Sequence, residues 1–271
     1  MRQSVRRLLF SAGVVAAVGA AVCGQGAVAS AAKSAPGGRA IATAPAAPYV
    51  PPSKPLYVGE RGTAVKSVQR RLAQLHYYPG PIDGSYGQDV LEAAWAFREV
   101  QGLPMNASTA AEPITRAFEL DLVHPHPPFV LIRKGPKNRI EINQNIEVLV
   151  LYRNDTPEVI LHVSSGGGYY YPCPGNPSAT CGPAITPDGN YKALWFYNGW
   201  ETVPLGTMYN PVFFIGSAYA IHGDIPVPWY PASHGCVRIW MDAATWFHNK
   251  LTVGGAHATP IYVRGTAPYL G

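Results

Sequence analysis

Charged residues are scarce in this 271-residue sequence, where Asp, Glu, Lys and Arg make up only 14% of the total. The formal net charge is +5, but three of the 21 Lys and Arg residues lie within the first seven positions. Without those three, 18 basic residues face 16 acidic ones, so the charge gives no reason to expect nucleic-acid binding. No recognised metal-ligand spacing is present either, and no metal or other cofactor is expected.

A membrane-spanning run is also missing at the N-terminus. The apolar run Leu8–Val22 has about fifteen residues, short of the roughly 20 that span a bilayer. Arginines precede this run and Ala27-Val28-Ala29 follows it, which is the pattern of a secretory signal peptide. We therefore expect residues 1–32 to be a signal peptide, with no stable membrane insertion after its cleavage. The alternative is a retained N-terminal anchor.

Cysteine is rare, and its count is informative. Of the four cysteines, Cys23 would be lost with the signal peptide, which leaves an odd number for an oxidising compartment. Cys173 and Cys181 lie eight positions apart across a Pro- and Gly-containing loop and are the candidate disulfide pair. That pairing would leave Cys236 as a free thiol, which calls for a function.

The chain divides by composition and periodicity into two ordered parts after a linker. Residues 33–54 are rich in Ala, Pro and Gly and predict an extended linker. Apolar residues at helical spacing then predict helices over 63–76, 88–101 and 113–122, a small helical domain within residues 55–123.

From Phe129 the apolar period changes from 3.6 to 2, which predicts a mostly-β second domain. An antiparallel meander is expected first, with turns at Asn143-Gln144-Asn145 and Asn154-Asp155. Later strands are expected over 191–196, 212–221 and 259–264, and a helix over 242–251. The fold class is therefore α+β and multidomain: a small three-helix bundle followed by a mostly-β domain.

The stretch HGDIPVPWYPASHGCVRI (222–239) brings potential catalytic groups close to Cys236. A thiol attacks carbonyls as the thiolate, so a neighbouring imidazole that takes its proton would activate it. His222 is the better candidate base, because His234 is only two residues from the thiol and has poor local geometry. Backbone N–H groups near Gly235 and Cys236 could form an oxyanion hole. Two alternatives are a buried structural cysteine and a zinc site that would include Asp224.

These residues resemble the signature of the L,D-transpeptidase catalytic domain: His222-Gly223 followed by Ser233-His234-Gly235-Cys236-Val237-Arg238. Val163-Ser164-Ser165-Gly166 and Thr186-Pro187-Asp188-Gly189-Asn190-Tyr191 resemble two further elements of that family. The likeness covers about residues 129–265. It implies a β-rich fold in which Cys236 is the acylated nucleophile and His222 its base. Ser233, His234 and Gly235 would shape the oxyanion site, and Arg238 would brace the loop or contact substrate.

Residues 59–104 resemble the three-helix peptidoglycan-binding domain found beside many wall enzymes, through glycines and apolar residues such as Gly62, Val65, Leu72 and Phe97. These positions are mainly core and turns, so they indicate the fold better than the ligand. The segment NASTAAEPITRAF departs from the usual ending of that domain.

Together the two resemblances imply a secreted, cell-wall L,D-transpeptidase that acts on peptidoglycan stem peptides and glycan. A Cys236 thioester would form with release of D-alanine, and a stem amine would resolve it into a 3→3 cross-link. The protein is expected to be a monomer. Three alternatives stay open: an L,D-carboxypeptidase, a protein-to-wall attachment enzyme, and a non-catalytic wall-binding protein.

Overall fold

The computed structural model describes residues 49–268. The predicted signal peptide, residues 1–32, and the predicted linker up to residue 48 lie outside the described residues. Within the described range, none of the helices is both long enough and apolar enough to cross a membrane.

Short helices form the first part of this range, and there are four of them where the sequence predicted three. They are α1 (Thr63–Gln74), α2 (Gln88–Gln101), α3 (Ala107–Ala111) and α4 (Arg116–Asp121). Helix α3 was not expected; it begins after Asn106, whose side chain accepts hydrogen bonds from backbone N–H groups of the first turn. Helix α4 covers only part of the predicted segment 113–122, because Thr115 caps its N-terminus.

The rest of the described range consists mainly of β-strands. The strands are β1 (Arg139–Asn143), β2 (Val148–Arg153), β3 (Thr156–His162), β4 (Tyr171–Cys173), β5 (Asn176–Cys181), β6 (Gly189–Lys192), β7 (Trp195–Phe196), β8 (Trp200–Val203), β9 (Gly206–Ile215), β10 (Tyr219–Asp224), β11 (Val237–Trp240) and β12 (Pro260–Arg264). Helix α5 (Met241–Phe247) follows β11 and continues into a 3-10 turn, His248–Lys250. The predicted α+β fold, with helices before a mostly-β part, is confirmed.

Two five-stranded sheets and one hairpin organise these strands. The first sheet has the order β3-β2-β1-β12-β6 and contains the predicted antiparallel meander, β1 to β3. The second has the order β11-β10-β9-β7, with β8 also paired to β9. Strands β4 and β5 form the separate hairpin. Only two of these pairings are parallel, β1 with β12 and β10 with β11.

Two predicted strands were wrong in extent. The apolar stretch 212–221 is not one strand, because the chain turns at Gly216 with φ of 53° and returns as β10. The stretch 191–196 is split between β6 and β7, which belong to different sheets. In both cases the apolar run continues through a turn that hydrophobic periodicity alone does not mark.

Strand β2 contributes to two cores, one on each face of the first sheet. Leu149 and Leu151 point into the core between the two sheets, which also holds Ile221 and Val237. The alternate residues of β2, Val148, Val150 and Tyr152, pack against the helices. The helices therefore pack on one face of the first sheet, and the second sheet packs on the opposite face.

Candidate active site

The parallel pairing of β10 with β11 brings the two predicted catalytic residues together. In its register His222 pairs with Arg238, and Cys236 lies one residue before β11 begins. Side chains two apart on a strand share a face, so Cys236 and His222 are diagonal neighbours on one face of the sheet. Together with Asp224 and Arg238 they line a cavity of about 460 Å³.

The thiol of Cys236 is half-buried and unpaired. Its Sγ atom lies 3.8 Å from the carbonyl oxygen of Ala218. Burial raises the pKa of Cys236, which a hydrogen bond from the Ala220 backbone and the charge of Arg238 lower only in part. At neutral pH the resting residue is therefore a thiol, and it needs a base during attack.

His222 has the properties of that base. Its Nδ1 atom lies 3.0 Å from the carbonyl oxygen of Gly223, an acceptor only, so Nδ1 carries the proton and Nε2 is left as the basic nitrogen. Burial lowers the pKa of His222 to about 4, which keeps the imidazole neutral at pH 7. A β-bulge in β9, where Asn210 has a φ of 47°, lies opposite this residue.

Asp224 is a residue of this site that the sequence reasoning considered only as a zinc ligand. Its Oδ2 atom lies 2.8 Å from Nε of Arg238, although that N–H is not aligned for a hydrogen bond, so the contact is an ion pair. The Asp224 carboxylate raises the pKa of His222, whereas Arg238 lowers it. The spacing could have identified Asp224, because position 224 shares a strand face with position 222. In the described residues no group of His, Cys, Asp and Glu is arranged to hold a metal ion.

The turn before Cys236 is held by Ser233. Ser233 Oγ accepts a hydrogen bond from the N–H of Gly235 at 2.9 Å and donates one to the carbonyl oxygen of Cys236 at 2.5 Å. The Gly235 N–H, expected as an oxyanion donor, is therefore already engaged within the turn. Gly235 has a φ of 133°, and a Cβ atom there would lie 2.6 Å from the Ile185 carbonyl oxygen. Only glycine fits this position.

His234 forms part of the cavity wall. Its ring centroid lies 4.6 Å from that of Tyr171 and 5.4 Å from that of Tyr169, both edge to face. Burial and the charge of Arg238 lower the pKa of His234. Its aromatic partners come from the segment that leads into the β4–β5 hairpin.

The β4–β5 hairpin carries the predicted cysteine pair: Cys173 and Cys181 are joined by a disulfide. Tyr171 and Pro174 of this hairpin line the cavity on one side. The turn between β8 and β9, with Leu205 at its tip, lines it on another. The disulfide thus closes the hairpin that lines this side of the cavity.

The loop that carries the nucleophile is held from outside by the segment 164–167, which follows β3. Ser164 exchanges two backbone hydrogen bonds with Arg238, both 3.1 Å, and the carbonyl oxygen of Ser165 accepts the N–H of Ser233 at 2.9 Å. The N–H of Gly167 donates to the carbonyl oxygen of Ser233 at 2.9 Å. These contacts fix the loop on both sides of Cys236.

Glu147, a buried residue of the β1–β2 turn, holds the segment 164–167 in turn. Its carboxyl oxygens accept hydrogen bonds from the N–H and the Oγ–H of Ser165 at 2.5 and 2.6 Å. The backbone of Glu147 has a φ of 49°, a costly conformation for a non-glycine residue and one that concentrates at functional sites. Sequence reasoning missed Glu147 because its partner lies 18 residues away.

Two buried contacts of His162 connect helix α2 to the loop between His222 and Cys236. His162 Nδ1 lies 2.8 Å from Oε1 of Glu99, and His162 Nε2 lies 3.0 Å from the carbonyl oxygen of Pro228. Pro228 belongs to the loop between His222 and Cys236. The helical part of the chain therefore contacts this loop through one histidine.

Two family models match the sequence. Residues 137–263 match the family described as "L,D-transpeptidase catalytic domain". Residues 61–107 match the family described as "Putative peptidoglycan binding domain". Among curated proteins, no match was found.

The chain is also similar to solved structures, to different degrees. A crystal structure of an L,D-transpeptidase from Xylanimonas cellulosilytica aligns with a TM-score of 0.68 and 28% identity, over 79% of this chain and 100% of that chain. An L,D-transpeptidase from Stackebrandtia nassauensis is 16% identical, with a TM-score of 0.45 over 81% and 99% of the two chains. L,D-transpeptidase 1 of Mycobacterium tuberculosis is 22% identical, with a TM-score of 0.34 over 48% and 63%.

Proposed function

Because the chain carries an L,D-transpeptidase catalytic domain preceded by a peptidoglycan-binding domain, we propose that it is an exported transpeptidase that forms 3→3 peptidoglycan cross-links through a thioester on Cys236. The observation that carries the proposal is the shared strand face of Cys236 and His222, which opens onto a cavity of about 460 Å³. A cavity of that size accommodates a peptide donor and an entering amine.

The first half-reaction transfers the donor acyl group to the enzyme. His222 Nε2 takes the proton of Cys236 as the sulfur attacks the carbonyl of the third stem residue, a diamino acid. The carbon–nitrogen bond to the terminal D-alanine then breaks, and His222 returns the proton to the leaving amine. A neutral imidazole is needed at the start, which agrees with a His222 pKa of about 4.

The second half-reaction returns the enzyme to its resting state. A side-chain amine of a neighbouring stem attacks the thioester carbonyl while His222 accepts its proton. The carbon–sulfur bond breaks, an amide forms, and the proton passes back to the Cys236 sulfur. Every proton and electron pair is accounted for without a cofactor.

The neighbouring residues have supporting roles in this proposal. Arg238 carries the positive charge next to the sulfur and lowers its pKa, while Asp224 orients Arg238 through the ion pair. Ser233 holds the turn before the nucleophile, and His234 forms the cavity wall with the two tyrosines. Gly235 permits the close packing of that turn.

The substrate determines where this protein acts. Peptidoglycan lies outside the cytoplasmic membrane, so the predicted signal peptide, residues 1–32, is assigned to export. The mature protein then works as a monomer at the cell wall. The chemistry needs one cysteine and one histidine of a single chain.

The test is product analysis by liquid chromatography–mass spectrometry after incubation with a purified disaccharide-tetrapeptide. We expect dimers that have lost one D-alanine, abolished by Cys236→Ser and reduced at least a hundredfold by His222→Ala. His257→Ala, at an exposed histidine outside the cavity, is the matched control. Tripeptide monomer alone would identify a carboxypeptidase. Full activity in Cys236→Ser would overturn the assignment of the nucleophile.

A further inference from the structure

A second groove, of about 440 Å³, lies between the helical part and the β-part of the chain. None of its lining residues lines the cavity of Cys236. One wall comes from the end of α1 and the loop after it, and the other from β3, α5 and the 3-10 turn. We call it the junction groove; its main lining side chains are His76, Tyr78, Ile82, Glu158, Trp246 and Lys250.

The floor of the junction groove is held by sheet hydrogen bonds. The N–H of Ile160 in β3 donates to the carbonyl oxygen of His76 at 2.8 Å, and Tyr77 forms a parallel bridge with Ile160. The buried ring of Tyr77 packs edge to face on Phe97 of α2, with centroids 5.4 Å apart. The loop after α1 is therefore held against the edge strand β3 of the first sheet.

Two aromatic rings form an apolar corner in the groove. The rings of Tyr78 and Trp246 have centroids 5.0 Å apart and planes at 66°. Both side chains are half-buried, so part of each ring is exposed to a ligand. Such a corner fits a ligand with an apolar face and polar edges, because aromatic faces attract C–H surfaces while water stays at the rim. A pyranose ring has that character.

The charged groups at the rim are already paired with one another. Glu158 Oε1 lies 2.6 Å from Lys250 Nζ, and Glu158 Oε2 lies 2.8 Å from Nε of Arg153 outside the groove. His76, whose side chain is exposed, also lies on the rim. Glu158 and its two basic partners offer hydrogen-bond acceptors and donors to hydroxyl groups, and the three groups together carry one net positive charge. Such a rim suits a hydroxyl-rich ligand.

We propose that the junction groove binds a disaccharide segment of the peptidoglycan glycan strand, with a sugar ring against Tyr78 and Trp246. Residues 73–82 of one wall lie inside the segment that matches the peptidoglycan-binding family, and Glu158, Trp246 and Lys250 lie inside the catalytic match. The site thus exists only because the two parts pack together. It rests on the proposed action on peptidoglycan and adds a glycan contact to the stem-peptide chemistry.

The test is the binding of chitotetraose, a neutral β-1,4-linked N-acetylglucosamine oligomer, which contains no stem peptide and needs no turnover. Binding is measured by titration calorimetry and by ¹H–¹⁵N chemical-shift mapping on the intact mature protein. Trp246→Leu keeps an apolar side chain against the core but removes the flat ring, and should weaken binding at least tenfold. Trp200→Leu, at a tryptophan that is 53% exposed outside the groove, should leave binding unchanged.

A second variant guards against a folding defect in Trp246→Leu. His76 is exposed and has a φ of 70°, which glycine adopts without strain, so His76→Gly should weaken chitotetraose binding severalfold without lowering the melting temperature. The proposal is overturned if wild-type protein shows no binding at 10 mM sugar, a concentration that corresponds as a Kd to a binding free energy of about −2.7 kcal/mol. It is also overturned if groove variants bind normally, or if free stem tetrapeptide shifts the same resonances and displaces the sugar. The binding assay does not depend on turnover. If the protein forms cross-links but does not bind the sugar, the groove proposal is refuted and the proposed function is not.

Discussion

Glu147→Ala removes the contact that holds the segment 164–167 and, through it, the loop of Cys236. The substitution eliminates two hydrogen bonds, from the N–H and the Oγ–H of Ser165, in a site where Glu147 is 2% exposed. An unpaired buried N–H costs about 1–3 kcal/mol, and the lost side-chain packing adds a similar amount. We expect the free energy of unfolding to fall by about 3–5 kcal/mol, measured by urea denaturation followed by tryptophan fluorescence.

The same substitution should reduce catalysis by more than unfolding explains. Ser165 accepts the N–H of Ser233, which sets the turn before Cys236, so a looser Ser165 lowers the fraction of correctly placed thiol. We expect at least a tenfold slower acylation of Cys236 by a carbapenem at 25 °C, followed by intact mass on protein that is still folded by circular dichroism. Unchanged acylation kinetics in folded Glu147→Ala would refute the positioning role.

Glu147→Gln is the matched control, and its effect should depend on pH. Burial raises the pKa of Glu147 to about 8, so the folded wild type holds a proton that the unfolded chain releases near pH 4.5. The folded state binds more protons in this window, and wild-type stability therefore declines as pH rises from about 5 to 8. The glutamine variant, which mimics the protonated acid, should lose part of that decline. An identical pH slope in both proteins would contradict a raised Glu147 pKa.

Three further predictions follow from the site. Gly235→Ala should lower stability by about 2–4 kcal/mol in urea denaturation, since its Cβ would lie 2.6 Å from the Ile185 carbonyl oxygen; wild-type stability would disprove the crowding. Asp224→Asn removes a charge that raises the pKa of His222. The acid limb of the pH profile of kcat/KM, expected near pH 4 in the wild type, should therefore move to lower pH. A shift to higher pH would contradict the effect assigned to the Asp224 charge. Cys173→Ser opens an eight-residue loop and should cost about 2–3 kcal/mol in thermal unfolding, an effect that must vanish in reductant.

Local patterns in the sequence predicted most of the longer helices and strands. The period of two from Phe129 onward predicted the meander β1 to β3, because alternate residues of a half-buried strand must face the core. The period of 3.6 predicted α1 and α2 for the corresponding reason. Helix α3 was missed because five residues held by a capping side chain at Asn106 give no periodic signal.

The residues around Cys236 were identifiable because they are close in sequence and chemically unusual. A free thiol with histidine and glycine neighbours suggests a reactive site from composition alone, and the resemblance to one family added the roles. The engagement of the Gly235 N–H by Ser233 could not be predicted. It depends on backbone torsions in a turn, which residue types restrict but do not specify.

The sequence by itself determined the elements and the candidate pair, since hydrophobic periodicity and the chemistry of a thiol beside imidazole act over a few residues. Only the tertiary structure decided that β10 and β11 run parallel with His222 opposite Arg238, and that Glu147 reaches Ser165. It also decided that Tyr78 meets Trp246 across 168 positions of the chain. Such contacts depend on strand register and on the packing of whole elements, which form through cooperative burial between distant segments and leave no local pattern.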